Sequence, residues 1–226
     1  MSKVQARDGE YWESIQFRYI HGMLFTETVE TGTLELIRRL LKDKKLNGFD
    51  LAGDTALSLQ IGHRISGDIE LWSKSSFDAA VLSDHLSKEY KAGNIKILKN
   101  ETLKPPVIIE EMRMISLEDI GAGKLNTIAG EAARFVDLAD IYKLLEHLSL
   151  EELMDAYEEK YPKVNRLTMY KRLQAPGEIE VVAIGLTGPE ITMSDLAYRF
   201  RKAVKEPKRI FEAPTGVRPA FKKRRY

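Results

Sequence analysis

The chain has no cysteine, no long apolar run and no leader-like start. Its 226 residues include Cys 0, which excludes disulfides, thiolate metal sites and cysteine nucleophiles and fits a reducing compartment. No stretch approaches the ~20 apolar residues that span a bilayer. The first eight residues lack the apolar segment of a signal peptide. We therefore expect a soluble, cytoplasmic protein with no membrane partner.

Several well-known catalytic motifs are absent as well. Residues 121–124, Gly-Ala-Gly-Lys, resemble the end of a P-loop, but Glu118 and Leu125 stand where that motif needs its first glycine and its final Ser or Thr. The chain has no Gly-x-Ser-x-Gly elbow. Its 4 His are scattered without the spacing of metal ligands. These absences argue against P-loop ATPases, α/β-hydrolases and histidine-based zinc enzymes.

The charges nearly cancel over the whole chain but are unevenly distributed. There are 35 Lys and Arg against 34 Asp and Glu, and 43% of the residues are hydrophobic, enough for a sizeable core. Residues 110–160 hold 13 acidic and 5 basic side chains, whereas residues 199–226 hold 11 basic and 2 acidic ones. The basic end is compatible with contact to nucleic-acid phosphates, contact to an acidic patch of the same chain, or a solvated terminus.

Hydrophobic periodicity predicts an α+β protein with a small sheet in its first half and mostly helices in its second. Ser116 is the expected N-cap of one helix, and Ser149 with Glu152 is expected to form a capping box for another. The predicted helices cover residues 29–42, 55–61, 77–90, 117–129, 132–145, 150–161 and 194–204. The predicted strands are a short one ending at Gly53 and those at 68–72, 95–98, 107–114 and 178–184. We predict an α+β lobe with a polar N-terminal arm (1–115), a mainly helical lobe (116–204) and a basic tail (205–226).

The segment that carries chemistry lies between residues 51 and 72. A strand, a turn at Gly53 and a helix N-terminus provide free backbone N–H groups, which suit a phosphate. Further on, Asp68 and Glu70 alternate on a strand, so both carboxylates lie on one face and can share a hard divalent cation such as Mg²⁺. Nucleotidyl transfer uses this pairing because the metal neutralises charge on the phosphate oxygens.

Residues 49–72 resemble the nucleotidyltransferase motif of the AbiEii toxin family, which runs Gly-Gly-Thr-Ala-Leu and then Arg-x-Ser-x-Asp-x-Asp-Leu. Residues 115–126 and 137–142 are similar to the second and third motifs of that family, and the resemblance extends roughly over residues 46–161. It implies a bilobed, polymerase-β-like nucleotidyltransferase with a small mixed sheet. It also implies Mg²⁺-dependent transfer of a nucleotide from NTP to a tRNA 3′ end, another RNA or a protein, in a toxin that pairs with a cognate antitoxin.

The resemblance also implies a role for each matching residue. Asp68 and Glu70 would hold Mg²⁺, and Lys124 would neutralise the triphosphate. Asp137 would orient Lys124 or help to activate the acceptor hydroxyl. The predicted catalytic residues are Asp68, Glu70, Lys124 and Asp137, and the predicted nucleotide-binding residues are Gly53, Thr55, Arg64, Ser66 and Lys124. Among these, the hydroxyls of Thr55 and Ser66 would bond phosphate oxygens.

Three departures from the motif leave an alternative open. Asp54 stands where the family has its second glycine, and a carboxylate there adds repulsion of about 1–4 kcal/mol towards a phosphate at ~4 Å, although Asp is also a preferred helix N-cap. Glu70 replaces an Asp, and residues 99–106 are too few for a further strand of the family. The alternative is a catalytically impaired relative that binds NTP, RNA or a protein, or a domain without a ligand. Taken without the resemblance, Lys124, Asp137 and Asp140 also suit solvated helix surfaces.

Overall fold

The computed structural model describes residues 22–91, 95–130, 133–177 and 179–212. The α+β class is confirmed, because a five-stranded mixed sheet lies in the first half and helices fill the second. The helices of these ranges are α1 (Thr31–Lys42), α2 (Gly53–Ile61), α3 (Ala79–Tyr90), α4 (Leu117–Ala129), α5 (Phe135–Leu144), α6 (Leu150–Lys160), α7 (Arg166–Gln174) and α8 (Met193–Lys205). The strands are β1 (Asp50–Ala52), β2 (Ile69–Ser73), β3 (Ile95–Lys99), β4 (Val107–Ile109) and β5 (Met112–Met114).

The sheet has the order β3-β2-β1-β5-β4, with the short strand β1 at its centre. Strand β1 runs antiparallel to β2, with Leu51 opposite Leu71, and parallel to β5. Strand β2 is parallel to β3, and β4 is antiparallel to β5. Leu51 and Leu71 are fully buried, as expected for strands in the middle of a sheet that helices cover. Helix α2 starts directly at the end of β1 and therefore begins at the centre of the sheet.

The predicted N-terminal caps of helices α4 and α6 are confirmed. The Ser116 hydroxyl accepts from the Asp119 backbone N–H at the start of α4. Ser149 and Glu152 form a complete capping box at the start of α6. These contacts satisfy N–H groups that the first turn of a helix leaves without intrahelical partners.

Residues 107–114 form a two-stranded hairpin and not the single strand that the sequence predicts. The chain reverses at Glu110 and Glu111, whose φ angles are 47° and 65°. Such a two-residue turn with positive φ matches the right-handed twist of the strands, and it usually contains Gly, Asn or Asp. Two glutamates give no such signal, so the turn is hidden in the sequence.

The predicted strand at 178–184 is wrong for its described part, residues 179–184, which is irregular. The residues that follow pair with a loop: Ile65 N donates to Gly185 O at 2.9 Å, and Thr187 N donates to His63 O at 3.0 Å. The two segments form a single isolated antiparallel bridge, between Arg64 and Leu186. Because a loop and not a sheet edge is the partner, no strand can propagate.

The helix boundaries differ modestly from the predicted ones, and helix α7 is not predicted from the sequence. Helix α3 starts at Ala79, capped by Asp78, and α5 starts at Phe135, after the N-cap Arg134. Helix α7 has only two buried residues, Met169 and Leu173, which is too few to give a clear helical pattern.

One hydrophobic cluster runs through both halves of the chain, from Leu24 to Phe211. Helix α4 sits in its middle and packs closely on α6, because a Cβ added at Gly121 would overlap the Leu153 side chain. Among the helices of the described ranges, none has the length and apolar character needed to cross a membrane. Most of the predicted N-terminal arm (residues 1–21) and most of the basic tail (residues 213–226) lie outside the described residues, and the division into lobes stays a prediction.

Candidate functional site

The candidate site begins at the junction of β1 and α2. Gly53 has φ +67° at the first position of α2, a conformation that L-residues with a side chain rarely adopt. The N-cap of α2 is Ala52, which offers no side-chain bond. The expectation that Asp54 caps this helix is therefore wrong: Asp54 lies within the first turn, and its carboxylate points to cations from other elements.

Lys124 is the centre of the site and is held by three carboxylates. Its Nζ lies 2.5 Å from Asp54 Oδ1, 2.8 Å from Asp137 Oδ1 and 2.7 Å from Asp140 Oδ2. Only 6% of the residue is exposed. Because an ammonium at such a site needs a compensating charge, the two carboxylates from α5 and one from α2 keep Lys124 charged. Lys124 is not the solvated helix lysine that the sequence also allows.

Arg64 is a second buried cation of the same site. Its Nε and Nη2 bond the two Asp140 oxygens at 2.7 and 3.0 Å, the two-pronged geometry that suits a guanidinium best. Its Nη2 also reaches Asp54 Oδ2 at 2.8 Å. Asp54 therefore bridges Arg64 and Lys124.

Asp140 is fully buried and receives a third partner from His63, whose Nε2 lies 2.8 Å from Asp140 Oδ1. Burial lowers the pKa of His63, against the opposing effect of Asp140, so the ring is neutral near pH 7. Since a carboxylate only accepts, the ring proton sits on Nε2. Nδ1 then has no hydrogen-bond partner among the described residues.

The cations and carboxylates of this cluster stabilise each other's charged forms. Burial alone would raise the pKa of Asp54 and Asp140, but Lys124, Arg64 and, for Asp140, the His63 hydrogen bond hold both pKa values below the ordinary range. Burial alone would lower the pKa of Lys124 and Arg64, and the carboxylates raise both. The charges of Asp54, Asp140, Lys124 and Arg64 therefore persist at neutral pH.

Asp137 joins the cluster to the start of α5. Besides Lys124, it binds the Arg134 guanidinium at 2.9 and 3.0 Å, and this hydrogen bonding raises the pKa of Arg134. Asp137 is 1% exposed, so it is not the surface acid that the sequence also allows. Of the two predicted roles, orienting Lys124 is the one that this arrangement favours.

Thr55 and Ser66 bond to each other, with their hydroxyl oxygens 2.9 Å apart. The Thr55 hydroxyl donates to the Asp68 carbonyl at 2.6 Å, so its single proton is used and Ser66 donates to Thr55. Both side chains are buried and tie the loop before β2 to α2. Their contact with phosphate stays a prediction.

Of the two predicted metal ligands, only Glu70 lies on a strand, as the second residue of β2; Asp68 precedes the strand, which begins at Ile69. Asp68 is exposed, and Glu70 is half-buried. Glu70 Oε1 accepts a short hydrogen bond from the Trp72 indole, and its other oxygen, Oε2, would lie 3.4 Å from a Cβ at Gly53. Lys160 Nζ sits 4.6 Å above the Trp72 ring and binds the buried Asp119 at 2.9 Å, which fixes the indole.

This donor set fits Mg²⁺ that arrives with a nucleotide. No group of three or more His, Cys, Asp or Glu side chains is arranged for a metal within the ranges the structure describes. Mg²⁺ is usually bound by one or two carboxylates together with substrate phosphates and water. Glu70 Oε2 beside Gly53 and the exposed Asp68 carboxylate are oxygen donors of the right type, and their joint binding of Mg²⁺ stays a prediction.

The structure brings most of the predicted residues together in one corner. Gly53, Arg64, Lys124 and Asp137 meet through Asp54, and Glu70 adjoins Gly53. Asp68 is tied to Thr55 only through its carbonyl. From the sequence, His63 beside Arg64 is a candidate for contact with phosphate and Arg134 a candidate for a cation near the site, whereas Trp72 carries no signal. Asp140 lies three residues after Asp137 and thus on the same helix face.

Comparison of the chain with protein-family models, with curated proteins and with solved structures finds no match.

Proposed function

We propose that this protein is a Mg²⁺-dependent nucleotidyltransferase that moves a nucleotide from NTP to an acceptor such as a tRNA 3′ end or a protein, as the toxin of a bacterial toxin–antitoxin pair. The observation that carries the proposal is the meeting of Gly53, Glu70 and Lys124 in one corner although they are far apart in sequence. Backbone N–H groups, a carboxylate pair and a buried cation are the groups that nucleotidyl transfer requires.

Each part of the corner has a task in such a reaction. The first turn of α2 and the cations Lys124 and Arg64 would bind the triphosphate. Asp68 and Glu70 would hold Mg²⁺, which neutralises charge on the phosphate oxygens. Asp137 and Asp140 hold Lys124 and Arg64 in place. The acceptor oxygen forms a bond to the α-phosphorus, the bond to the β-phosphate oxygen breaks, pyrophosphate leaves, and the hydroxyl proton passes to solvent.

A transfer assay tests the proposal. The full chain is incubated with Mg²⁺ and each NTP in turn, labelled at the α-phosphate, over total RNA and over the protein itself. We expect label in RNA or protein with the unchanged chain and none with Asp68→Ala. The control Asp84→Ala, which removes an exposed carboxylate paired with Lys88 on α3, should transfer normally. If no NTP transfers label to either RNA or protein, the proposed nucleotidyltransferase activity is refuted.

A second candidate is supported by the ion pairs of Asp54. This carboxylate occupies both Lys124 and Arg64, the two cations that a triphosphate would need. The cluster balances three carboxylates (Asp54, Asp137 and Asp140) with three cations (Arg64, Lys124 and Arg134), and His63 is neutral. Such a neutral site suits a catalytically impaired relative that binds NTP, RNA or a partner protein. In that case the transfer assay is negative, while Mg²⁺-dependent NTP binding persists.

A further inference from the structure

A second concave region lies in the helical half, away from the Asp54 cluster. It is an open cleft of about 660 Å³ between the end of α4, the end of α6 and helix α7. Its volume lies within the range of small-ligand sites, about 300–1,000 Å³. The residues that line it are Ala129, Tyr157, Lys163, Val164, Asn165, Thr168, Met169, Lys171, Arg172 and Ala175.

The charges that line the cleft are all of one sign. Lys163, Lys171 and Arg172 are cationic, and no carboxylate is among the lining residues. Within the described ranges, none of the three forms an ion pair with an acidic side chain. The neighbouring carboxylates Asp155 and Glu158 bind Arg166 instead. The cleft therefore keeps an uncompensated positive charge, and residues 161–175, which form most of it, contain no Asp or Glu.

The inner part of the cleft is apolar. Met169 and Tyr157 are almost fully buried beneath it, and Val164 is half-buried, whereas Lys163 and Lys171 are exposed. Cations around an apolar surface match a ligand with planar rings and phosphates, because the rings pack on apolar side chains while the phosphates meet the cations. An acidic peptide would satisfy the cations but would leave the apolar surface uncovered.

Arg172 is built into the framework of the cleft. Its Nε donates to Ile128 O at 3.1 Å and its Nη2 to Gly130 O at 2.8 Å, which satisfies carbonyls at the end of α4 that have no intrahelical partner. Its charge is thereby fixed at one end of the cleft. Helix α4 also carries Lys124, and Ala129 lies about 7.5 Å further along its axis.

We propose that this cleft binds single-stranded nucleic acid, with bases against the half-buried Val164 above the Met169 core and phosphates at Lys163, Lys171 and Arg172. The binding assignment stands on the cleft alone. A further role of the bound nucleic acid as the acceptor of the transfer reaction rests on the proposed function.

The test measures binding of a 5′-labelled, unstructured eight-nucleotide RNA by fluorescence anisotropy over a series of salt concentrations, without NTP or Mg²⁺. Lys163→Ala/Lys171→Ala should weaken binding at least tenfold and reduce the salt slope by about 1.4, since each phosphate contact contributes about 0.7 for a single strand. Thr168→Glu should weaken binding as well, because it places a carboxylate in the cleft. Thr168 is exposed in the first turn of α7, where an acid is tolerated. Arg172 is left unchanged because it holds α4.

The matched control is Lys44→Ala/Lys88→Ala, which removes two exposed lysines of the first half and should leave affinity and slope unchanged. No measurable RNA binding by the unchanged chain, or equal binding by all variants, overturns the proposal. Displacement of RNA by an oligoglutamate of equal charge as efficiently as by unlabelled RNA also overturns it, in favour of an acidic peptide. This experiment measures RNA binding and not nucleotide transfer. A negative result for the cleft is therefore distinguishable from a negative result for the proposed transferase activity.

Discussion

At the scale of single residues, Asp54 determines how strongly the candidate site can bind an anion. Its carboxylate lies on Arg64 and Lys124 at 2.8 and 2.5 Å, so a triphosphate must compete with it for both cations. A side chain that the sequence places as a helix cap is instead an internal counter-ion. Structure and ligand binding therefore make opposite demands on this residue.

Asp54→Asn tests that conflict. The variant should lower the free energy of unfolding by about 1–2 kcal/mol, because it weakens two charge-assisted bonds that are largely buried. It should also tighten Mg²⁺-dependent NTP binding about five- to tenfold, equivalent to ~1–1.4 kcal/mol of removed repulsion. Calorimetric titration and urea unfolding measure the two effects. Asp84→Asn is the control and should change neither. An unchanged or weaker NTP affinity in Asp54→Asn would show that the corner is not a phosphate site.

Trp72 is expected to position Glu70. Trp72→Phe keeps a ring beneath Lys160 but removes the indole N–H that binds the Glu70 carboxylate. We expect a stability loss of about 1 kcal/mol and several-fold weaker Mg²⁺-dependent NTP binding, because the longer Glu70 side chain loses its fixed orientation. Tyr90→Phe is a matched control, since it removes a hydroxyl that donates to Asp43 far from the site. If both variants bind NTP equally well, Trp72 has only a structural role.

At the scale of elements, helix α4 connects the candidate site with the core. It carries Lys124 and, about one turn earlier, packs against α6 through Gly121. The close approach of the two helices requires a residue without a side chain at Gly121. Displacement of α4 would move Lys124 relative to α2 and α5.

Gly121→Ala should therefore destabilise the protein by about 1–3 kcal/mol, because its Cβ would overlap Leu153. The NTP affinity should fall with it. Gly32→Ala is the control: nothing lies within 4 Å of a Cβ there, in α1, so the change should be neutral or stabilise by up to about 1 kcal/mol. Thermal unfolding distinguishes the two variants. Equal melting temperatures would contradict the close packing of α4 on α6.

The elements also indicate how far sequence patterns reach. The α+β class, the capped helices α4 and α6, and the strand–glycine–helix junction follow from local signals that the structure confirms. The hairpin at Glu110 and Glu111 and helix α7 do not, because their turn residues and sparse apolar pattern carry weak signals. Of the ion-pair cluster, only the Lys124–Asp137 pair is implied by the resemblance. The pairs of Asp54 and Asp140 are beyond sequence reasoning, since residues from α2, α4 and α5 meet only after the core has packed.

At the scale of the whole molecule, His63 and His147 couple stability to pH. Burial lowers the pKa of His147 to about 4, and it lowers the pKa of His63. In the unfolded chain both titrate at about pH 6.5, so below that pH the unfolded state binds more protons and is favoured. The carboxylates Asp54 and Asp140, whose pKa values are depressed, lose their stabilising effect only at more acidic pH.

We therefore expect the free energy of unfolding to fall between about pH 6.5 and pH 4, with His147 alone contributing about 2 kcal/mol at pH 5. Urea unfolding at several pH values measures the decline. His147→Gln should show a shallower profile, because one group that takes up a proton on unfolding is gone. Parallel profiles for the two proteins would contradict the lowered pKa of His147.

The account as a whole depends on whether the corner at Gly53 binds NTP together with Mg²⁺. The most direct measurement is calorimetric titration of each of the four NTPs into the full chain, with and without Mg²⁺, for the unchanged protein, Asp68→Ala and the control Asp84→Ala. Asp68 is exposed, so its removal should leave the fold intact, as circular dichroism would verify. We expect Mg²⁺-dependent binding of at least one NTP by the unchanged protein and the control, and at least tenfold weaker binding by Asp68→Ala. Equal affinities of all three proteins, or no binding by any, would contradict the account.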